Sequence, residues 1–283
     1  MKPKGNAIPH RHRLTVACLV WLSLTAGGCA GDTATPMASF SGPDVVAIPP
    51  IVVPRARMPT SSIPALFKLP DGKGPFPAVI VLHGCGGRTN SQLDWARRLN
   101  GWGYAVLIPD SMTPRGVKTV CAPQDQPRVT PRDRVGDVGS AVAWLRTRPE
   151  VDPRRIAVLG QSHGGATAAL AAQQLYDGFG LRAAIDYYGG CNNPDTHGAT
   201  PLLVLAGEAD DWGHPAARCQ NYRMGLAPDK TMELHTYPGV HHSFENPRRT
   251  PTTNNGHVLA YDPTAAEDSF VHVRAFLDRW AGH

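Results

Sequence analysis

The chain has 283 residues, with 28 Lys and Arg against 23 Asp and Glu, a formal charge of +5. Its 42% hydrophobic and 18% charged content excludes a disordered chain, and its length supports a core without metal or disulfide staples. The charge excess is local: residues 1–28 hold Lys2, Lys4, Arg11 and Arg13 and no acid, leaving 24 basic against 23 acidic residues from Cys29 onward. A remainder of +1 offers no basic groove for phosphates, so a nucleic-acid partner is excluded.

The basic stretch is followed by an apolar run from Leu14 to Leu24. Spanning a bilayer takes about 20 apolar residues, so this run suits a signal peptide over 1–28 better than a membrane helix. Thr25-Ala26-Gly27-Gly28 directly before Cys29 resembles a lipoprotein box, with Ala26 where Leu is more usual. Cys29 is therefore a candidate lipidation site, and cleavage after Ala30 by an ordinary signal peptidase is the alternative. The expectation is an exported protein, periplasmic or held to a membrane only through an N-terminal lipid. Cys18 lies in the signal, and the folded part keeps Cys85, Cys121, Cys191 and Cys219. Four cysteines in an exported chain predict disulfides, with three pairings open. Their spacing matches no zinc-ligand pattern, and no metal is expected.

Residues 29–61 are rich in Pro, Ala and Thr and read as a tether running into a first extended segment. Ala65–Leu69 predicts a strand, and Asp71-Gly72-Lys73-Gly74 a turn. Ala78–Leu82 is an uninterrupted apolar run, as expected of a parallel strand covered on both faces. Tyr104–Ile108, Ile156–Leu159, Leu181–Tyr187, Leu202–Leu205 and Met232–Tyr237 predict further strands. Val135, Val138, Val142 and Leu145 fall on one helical face, and Pro149 closes that helix. Ala266, Phe270, Val273, Leu277 and Trp280 form the stripe of a last helix, with Thr264 and Glu267 as its capping box. Strands alternating with helices predict an α/β fold, a mostly parallel sheet wound on both faces in a single domain over 62–283.

Gly160-Gln161-Ser162-His163-Gly164 lies between the strand ending at Leu159 and a small-residue helix from Gly165 to Leu175. This Gly-x-Ser-x-Gly pattern in strand–turn–helix context forces a tight turn that lifts the serine hydroxyl to a helix N-terminus. A serine nucleophile needs a base, and the base an orienting acid. Gly207-Glu208-Ala209-Asp210-Asp211 supplies the acid after the Leu202–Leu205 strand, with Asp210 preferred to Asp211. Tyr237-Pro238-Gly239-Val240-His241-His242 supplies the imidazole, with His242 preferred to His241. The backbone N–H groups of His163 and of Cys85, in His83-Gly84-Cys85-Gly86-Gly87, are the candidate oxyanion donors.

These segments, with Asp110-Ser111-Met112-Thr113-Pro114-Arg115-Gly116 and Trp212, resemble the dienelactone hydrolase family of α/β-hydrolases over about 62–283. The resemblance implies Ser162 as nucleophile, Asp210 as acid and His242 as base. The enzymes that give the family its name use Cys as nucleophile, and this chain has Ser. That departure shifts the expectation to a general carboxylic ester or lactone, a small-molecule substrate, with no cofactor. Peptide cleavage, acyl transfer on the same triad, or a silent ligand-binding lipoprotein are the alternatives. Arg115 is a candidate for binding a substrate carboxylate, or a structural salt bridge. If the resemblance holds, Cys85 pairs with Cys121 and Cys191 with Cys219.

Overall fold

The computed structural model describes residues 44–175, 179–191 and 200–282. The proposed signal peptide and Cys29 lie outside the described residues. Eight strands form one sheet: β1 (Asp44–Ile48), β2 (Ile63–Lys68), β3 (Phe76–Leu82), β4 (Ala105–Pro109), β5 (Val151–Gln161), β6 (Leu181–Tyr187), β7 (Leu202–Gly207) and β8 (Met232–Tyr237). Their spatial order is β1-β2-β4-β3-β5-β6-β7-β8. The β1–β2 and β2–β4 pairs are antiparallel, and every pair from β4 to β8 is parallel. This is the mostly parallel, single-domain α/β sheet expected from the alternation of strands and helices, in the architecture that the resemblance to α/β-hydrolases implies.

The run Ala78–Leu82 is apolar throughout because both faces of β3 are covered. Ala78, Ile80 and Leu82 share a core with Val135, Val138, Val142 and Leu145 of α2 (Pro131–Leu145) and with the alanines of α3 (His163–Gln174). Val79 and Val81 point the other way. Their core includes Trp95 and Leu99, on a helix we label α1 (Asn90–Gly101) in chain order, and Phe270, Val273 and Leu277 of the C-terminal helix (Pro263–Trp280). Fully burying each such side chain contributes about 1.5–3 kcal/mol.

Residues 44–61, expected as the end of a tether with a first extended segment, pack onto the fold. The first extended segment is β1, registered along β2 from Asp44↔Phe67 to Ile48↔Ile63. Beyond it, Val53 is buried in the α2 core, and Arg57 Nη2 meets Asp133 Oδ2 at 2.5 Å. The domain therefore includes Asp44. The cap of the C-terminal helix is corrected. Asp262 Oδ1 accepts from the Ala265 N–H at 2.9 Å, and Pro263 takes the first helical position. Proline there lacks an N–H that would be unpaired anyway, so the helix starts before Thr264 can cap it.

The remaining elements frame the carboxyl ends of the strands. They are α4 (Pro215–Met224) and a hairpin of β9 (Thr252–Asn254) and β10 (His257–Leu259); the C-terminal helix is α5. Among the described residues, no helix is long and apolar enough to cross a membrane.

Candidate active site

β5 ends at Gln161, and α3 begins at His163. Ser162 is the whole turn between them, at φ 55° and ψ −119°. A positive φ on a non-glycine residue costs on the order of 1–3 kcal/mol and persists only where the surroundings enforce it. Here they do. The Ser162 N–H donates to the Tyr187 carbonyl at 2.8 Å, and the Ser162 carbonyl accepts from Ala166 N–H at 2.9 Å. The two glycines of the motif have a steric cause. A Cβ on Gly160 would lie 1.9 Å from the Gly164 carbonyl oxygen, and one on Gly164 would lie 2.5 Å from that of Leu82.

Asp210 and His242 reach this serine from the loops after β7 and β8. His242 Nδ1 lies 2.7 Å from Asp210 Oδ2, and His242 Nε2 lies 3.0 Å from Ser162 Oγ. Asp210 Oδ1 accepts from the Trp212 N–H at 2.9 Å. An aspartate can only accept, so it assigns the imidazole proton to Nδ1 and leaves Nε2 to accept from the serine hydroxyl. Both side chains are almost wholly removed from solvent. The neighbouring candidates are engaged elsewhere. Asp211 faces His257 Nδ1 at 3.3 Å, and His241 Nδ1 meets the Ala209 carbonyl at 3.1 Å. The rings of Tyr188 and Trp212 flank His242 at 4.5 and 5.1 Å between centroids.

The loop after β3 lies against the serine: a Cβ on Gly84 would be 3.6 Å from Ser162 Cβ. His83 is fully buried and sets the direction of the next peptide. Its Nδ1 donates to the Gly84 carbonyl at 2.7 Å, and its Nε2 accepts from the Ser111 N–H at 3.2 Å. The Gly84 carbonyl and the Cys85 N–H belong to one trans peptide and point opposite ways. The Cys85 N–H is thus aimed away from His83. Burial first, and then the Arg134 charge, hold the His83 imidazole well below its usual range, so it stays neutral. His163 is the first residue of α3, where N–H groups have no partner within the helix. The predicted disulfides are both present, Cys85–Cys121 and Cys191–Cys219. The first ties the Cys85 loop to a segment whose Val120 N–H also donates to the Cys85 carbonyl at 2.9 Å.

Two cavities meet at Ser162, Cys85, Tyr188, Trp212 and His242. One holds about 130 Å³ and is lined by Gln92, Asn246 and Arg249 among others. The other holds about 500 Å³ and opens toward Pro131, Ala166 and Arg218. Arg115 lines neither cavity. Its Nη1 and Nη2 each bond an Asp137 carboxylate oxygen at 2.9 Å, and it also donates to the Ser111 carbonyl at 2.8 Å. Of the two expectations for Arg115, the structure shows the salt bridge and not a carboxylate grip: the half-buried guanidinium is a structural tie between the loop after β4 and α2. Asp186, Cys191 and Cys219 come close enough to hold an ion, but both sulfurs are committed to their disulfide.

Sequence reasoning missed a polar layer beneath the serine. Gln161 donates to Ser91 Oγ at 2.6 Å and to Glu245, and accepts from Gln92. Tyr188 OH donates to the same Glu245 oxygen at 2.8 Å. Burial pushes the Glu245 carboxyl up, against the pull of Gln161 and Tyr188. No local motif announces such residues, because their partners lie 57 to 84 positions away.

The model of the dienelactone hydrolase family matches residues 63–280. The chain belongs to the dienelactone hydrolase family. A Methylorubrum extorquens protein named as a carboxymethylenebutenolidase is 28% identical over 201 residues, 64% of this chain and 68% of that protein. Among solved structures, a dienelactone hydrolase from Anabaena variabilis superposes with a TM-score of 0.62 at 18% identity, covering 85% of this chain and 100% of that one. A dienelactone hydrolase-like promiscuous phosphotriesterase from metagenomic libraries superposes at 0.66 with 21% identity, covering 85% and 99%. These likenesses show the fold. With the family established, this dienelactone hydrolase-like chain is a carboxylic-ester hydrolase.

Proposed function

We propose that the protein cleaves a carboxylic ester or lactone through an acyl-enzyme on Ser162. The observation that carries this reading is the continuous relay from Asp210 to His242 to Ser162, at 2.7 and 3.0 Å. His242 Nε2 takes the Ser162 proton as Oγ attacks the substrate carbonyl. Asp210 holds the imidazole in the one tautomer that can accept, and stabilises the imidazolium. The Cys85 and His163 N–H groups receive the developing oxyanion. His242 then protonates the leaving alcohol, and water, activated by the same imidazole, releases the acid. The two arms of the ester occupy the two cavities of about 130 and 500 Å³ that share Ser162. Serine in place of the family's cysteine supports a general ester or lactone as substrate.

Export is part of the same proposal. Its support is the basic, then apolar, then small-residue order of residues 1–28 and the pairing of all four cysteines between 85 and 219. Cys29 is the proposed lipid anchor, which would make the membrane a partner only through that lipid. Ser162→Ala tests the chemistry: turnover of p-nitrophenyl acetate should vanish with the melting temperature kept. Near wild-type turnover in that variant would refute the assignment.

A further inference from the structure

Arg134, on α2, is fully buried. Its Nη1 donates to His163 Nδ1 at 2.9 Å, its Nη2 to the His83 carbonyl at 2.9 Å, and its Nε to Ser111 Oγ at 3.1 Å. These are three different segments. His163 follows the nucleophile. His83 precedes the Gly84–Cys85 peptide. Ser111 belongs to the loop whose N–H fixes the His83 tautomer.

A buried guanidinium is costly, and well-packed apolar residues often replace buried ions without loss of stability. Among the described residues, no carboxylate is hydrogen-bonded to Arg134. Asp137 gives both its oxygens to Arg115, and Asp110 is bonded to Thr113 and the Met112 and Thr113 N–H groups. Burial lowers the Arg134 pKa to about 10, which still leaves it a cation at neutral pH. His163 accepts from it as a neutral ring, its pKa pulled down to about 3 by burial and then by the Arg134 charge. Every hydrogen bond named above for the guanidinium fork ends on a segment that carries, or directs, a proposed oxyanion donor.

We propose that Arg134 is a positioning residue that locks the Cys85 and His163 N–H donors at one mutual spacing. The inference rests on the acyl-enzyme reading above. The two donors follow different strands, Cys85 in the loop after β3 and His163 at the start of α3 after β5, so their mutual spacing depends on what ties the two segments together. Arg134 is such a tie. Its planar fork reaches divergent acceptors at once, which a lysine ammonium on a flexible stem does not reproduce. The oxyanion forms only in the transition state, so a loosened spacing weakens turnover more than substrate binding.

The test compares wild type with Arg134→Lys, Arg134→Met and His163→Leu in the full chain. His163→Leu removes one acceptor of the fork while keeping the residue 163 N–H and the bonds of Arg134 to His83 and Ser111. Three quantities are read: kcat and KM for p-nitrophenyl acetate, and the inhibition constant of an aryl trifluoromethyl ketone. That ketone adds to Ser162 and places its oxygen where the oxyanion would sit. Removing an oxyanion donor outright costs about 100- to 1,000-fold in kcat, so misplacing one should cost about 10- to 100-fold. KM should stay within about threefold, and the inhibition constant should rise in step with the fall in kcat. Wild-type kcat in both Arg134→Lys and His163→Leu would overturn the proposal. So would a fall in kcat with the ketone bound as tightly as before, which would mark Arg134 as structural only. If Arg134→Met does not fold, the other two variants decide. Turnover surviving in Ser162→Ala would instead bring down the acyl-enzyme reading, and the two failures are told apart by that control.

Discussion

Replacing Asp210 with Asn changes one atom and reverses the logic of the site. Asp210 faces two N–H donors, His242 Nδ1–H at 2.7 Å through Oδ2 and the Trp212 N–H at 2.9 Å through Oδ1. Asparagine has one acceptor oxygen and one NH₂ group. If the oxygen keeps Trp212, the NH₂ faces His242 and drives the ring proton from Nδ1 to Nε2. Nε2 then points a proton at Ser162 Oγ and cannot take one. If the amide flips, its NH₂ opposes the Trp212 N–H instead. The first arrangement leaves both groups paired and should prevail. A wrong tautomer of this kind costs about 10⁴ in kcat in the serine-protease template, or roughly 5.5 kcal/mol of barrier. The assay is steady-state hydrolysis of p-nitrophenyl acetate near pH 8, with circular dichroism to confirm the fold. Asp211→Asn is the control, because Asp211 faces His257 and should leave kcat within about threefold. An Asp210→Asn enzyme within tenfold of wild type, or an equal loss in Asp211→Asn, would refute the reasoning.

Removing the Cys85–Cys121 bridge by a double Ser substitution frees a loop of sequence separation 36, worth up to about 4 kcal/mol on the chain-entropy model. The same change should lower kcat because it unties the Cys85 segment; urea unfolding and ester kinetics check the two effects separately. Asp186 is fully buried, and burial pushes its carboxyl up to about 7, against the hydrogen bonds of the Gly189 and Gly190 N–H groups. The folded state therefore holds this proton over a range where the unfolded chain, near 4, has lost it. That contribution is full below about pH 4 and is lost as pH rises toward 7, reaching up to about 4 kcal/mol. Asp186→Asn should flatten this part of the stability curve, and denaturant titrations at pH 5 and pH 8 with an unchanged difference would contradict it.

The parallel core was legible because strands covered on both faces need no alternation: Ala78–Leu82 and Leu202–Leu205 read as strands from apolar content alone. The nucleophile turn was legible because its glycines are demanded by backbone contacts within the motif, Gly160 against Gly164. Asp210 and His242 could be ordered along the chain. Choosing them over Asp211 and His241 took the geometry, since adjacent residues differ only in direction. Arg115 and Arg134 were illegible in role. A guanidinium reads as a ligand grip or a tie depending on what stands opposite, and Asp137 and His163 come into place only on folding. A first extended segment was legible within 29–61, but its partner was not: Pro- and Ala-rich surroundings give no register, and the Asp44–Ile48 pairing along β2 appears only on folding.

The central claim is that Ser162, activated by His242, forms a covalent acyl intermediate. The most direct measurement is labelling of the full chain with a fluorophosphonate probe, followed by peptide mass mapping. One adduct is expected, linked through Ser162 Oγ, and none in a folded His242→Ala variant. No adduct on the wild-type enzyme, an adduct on another residue, or labelling undiminished without His242 would contradict it.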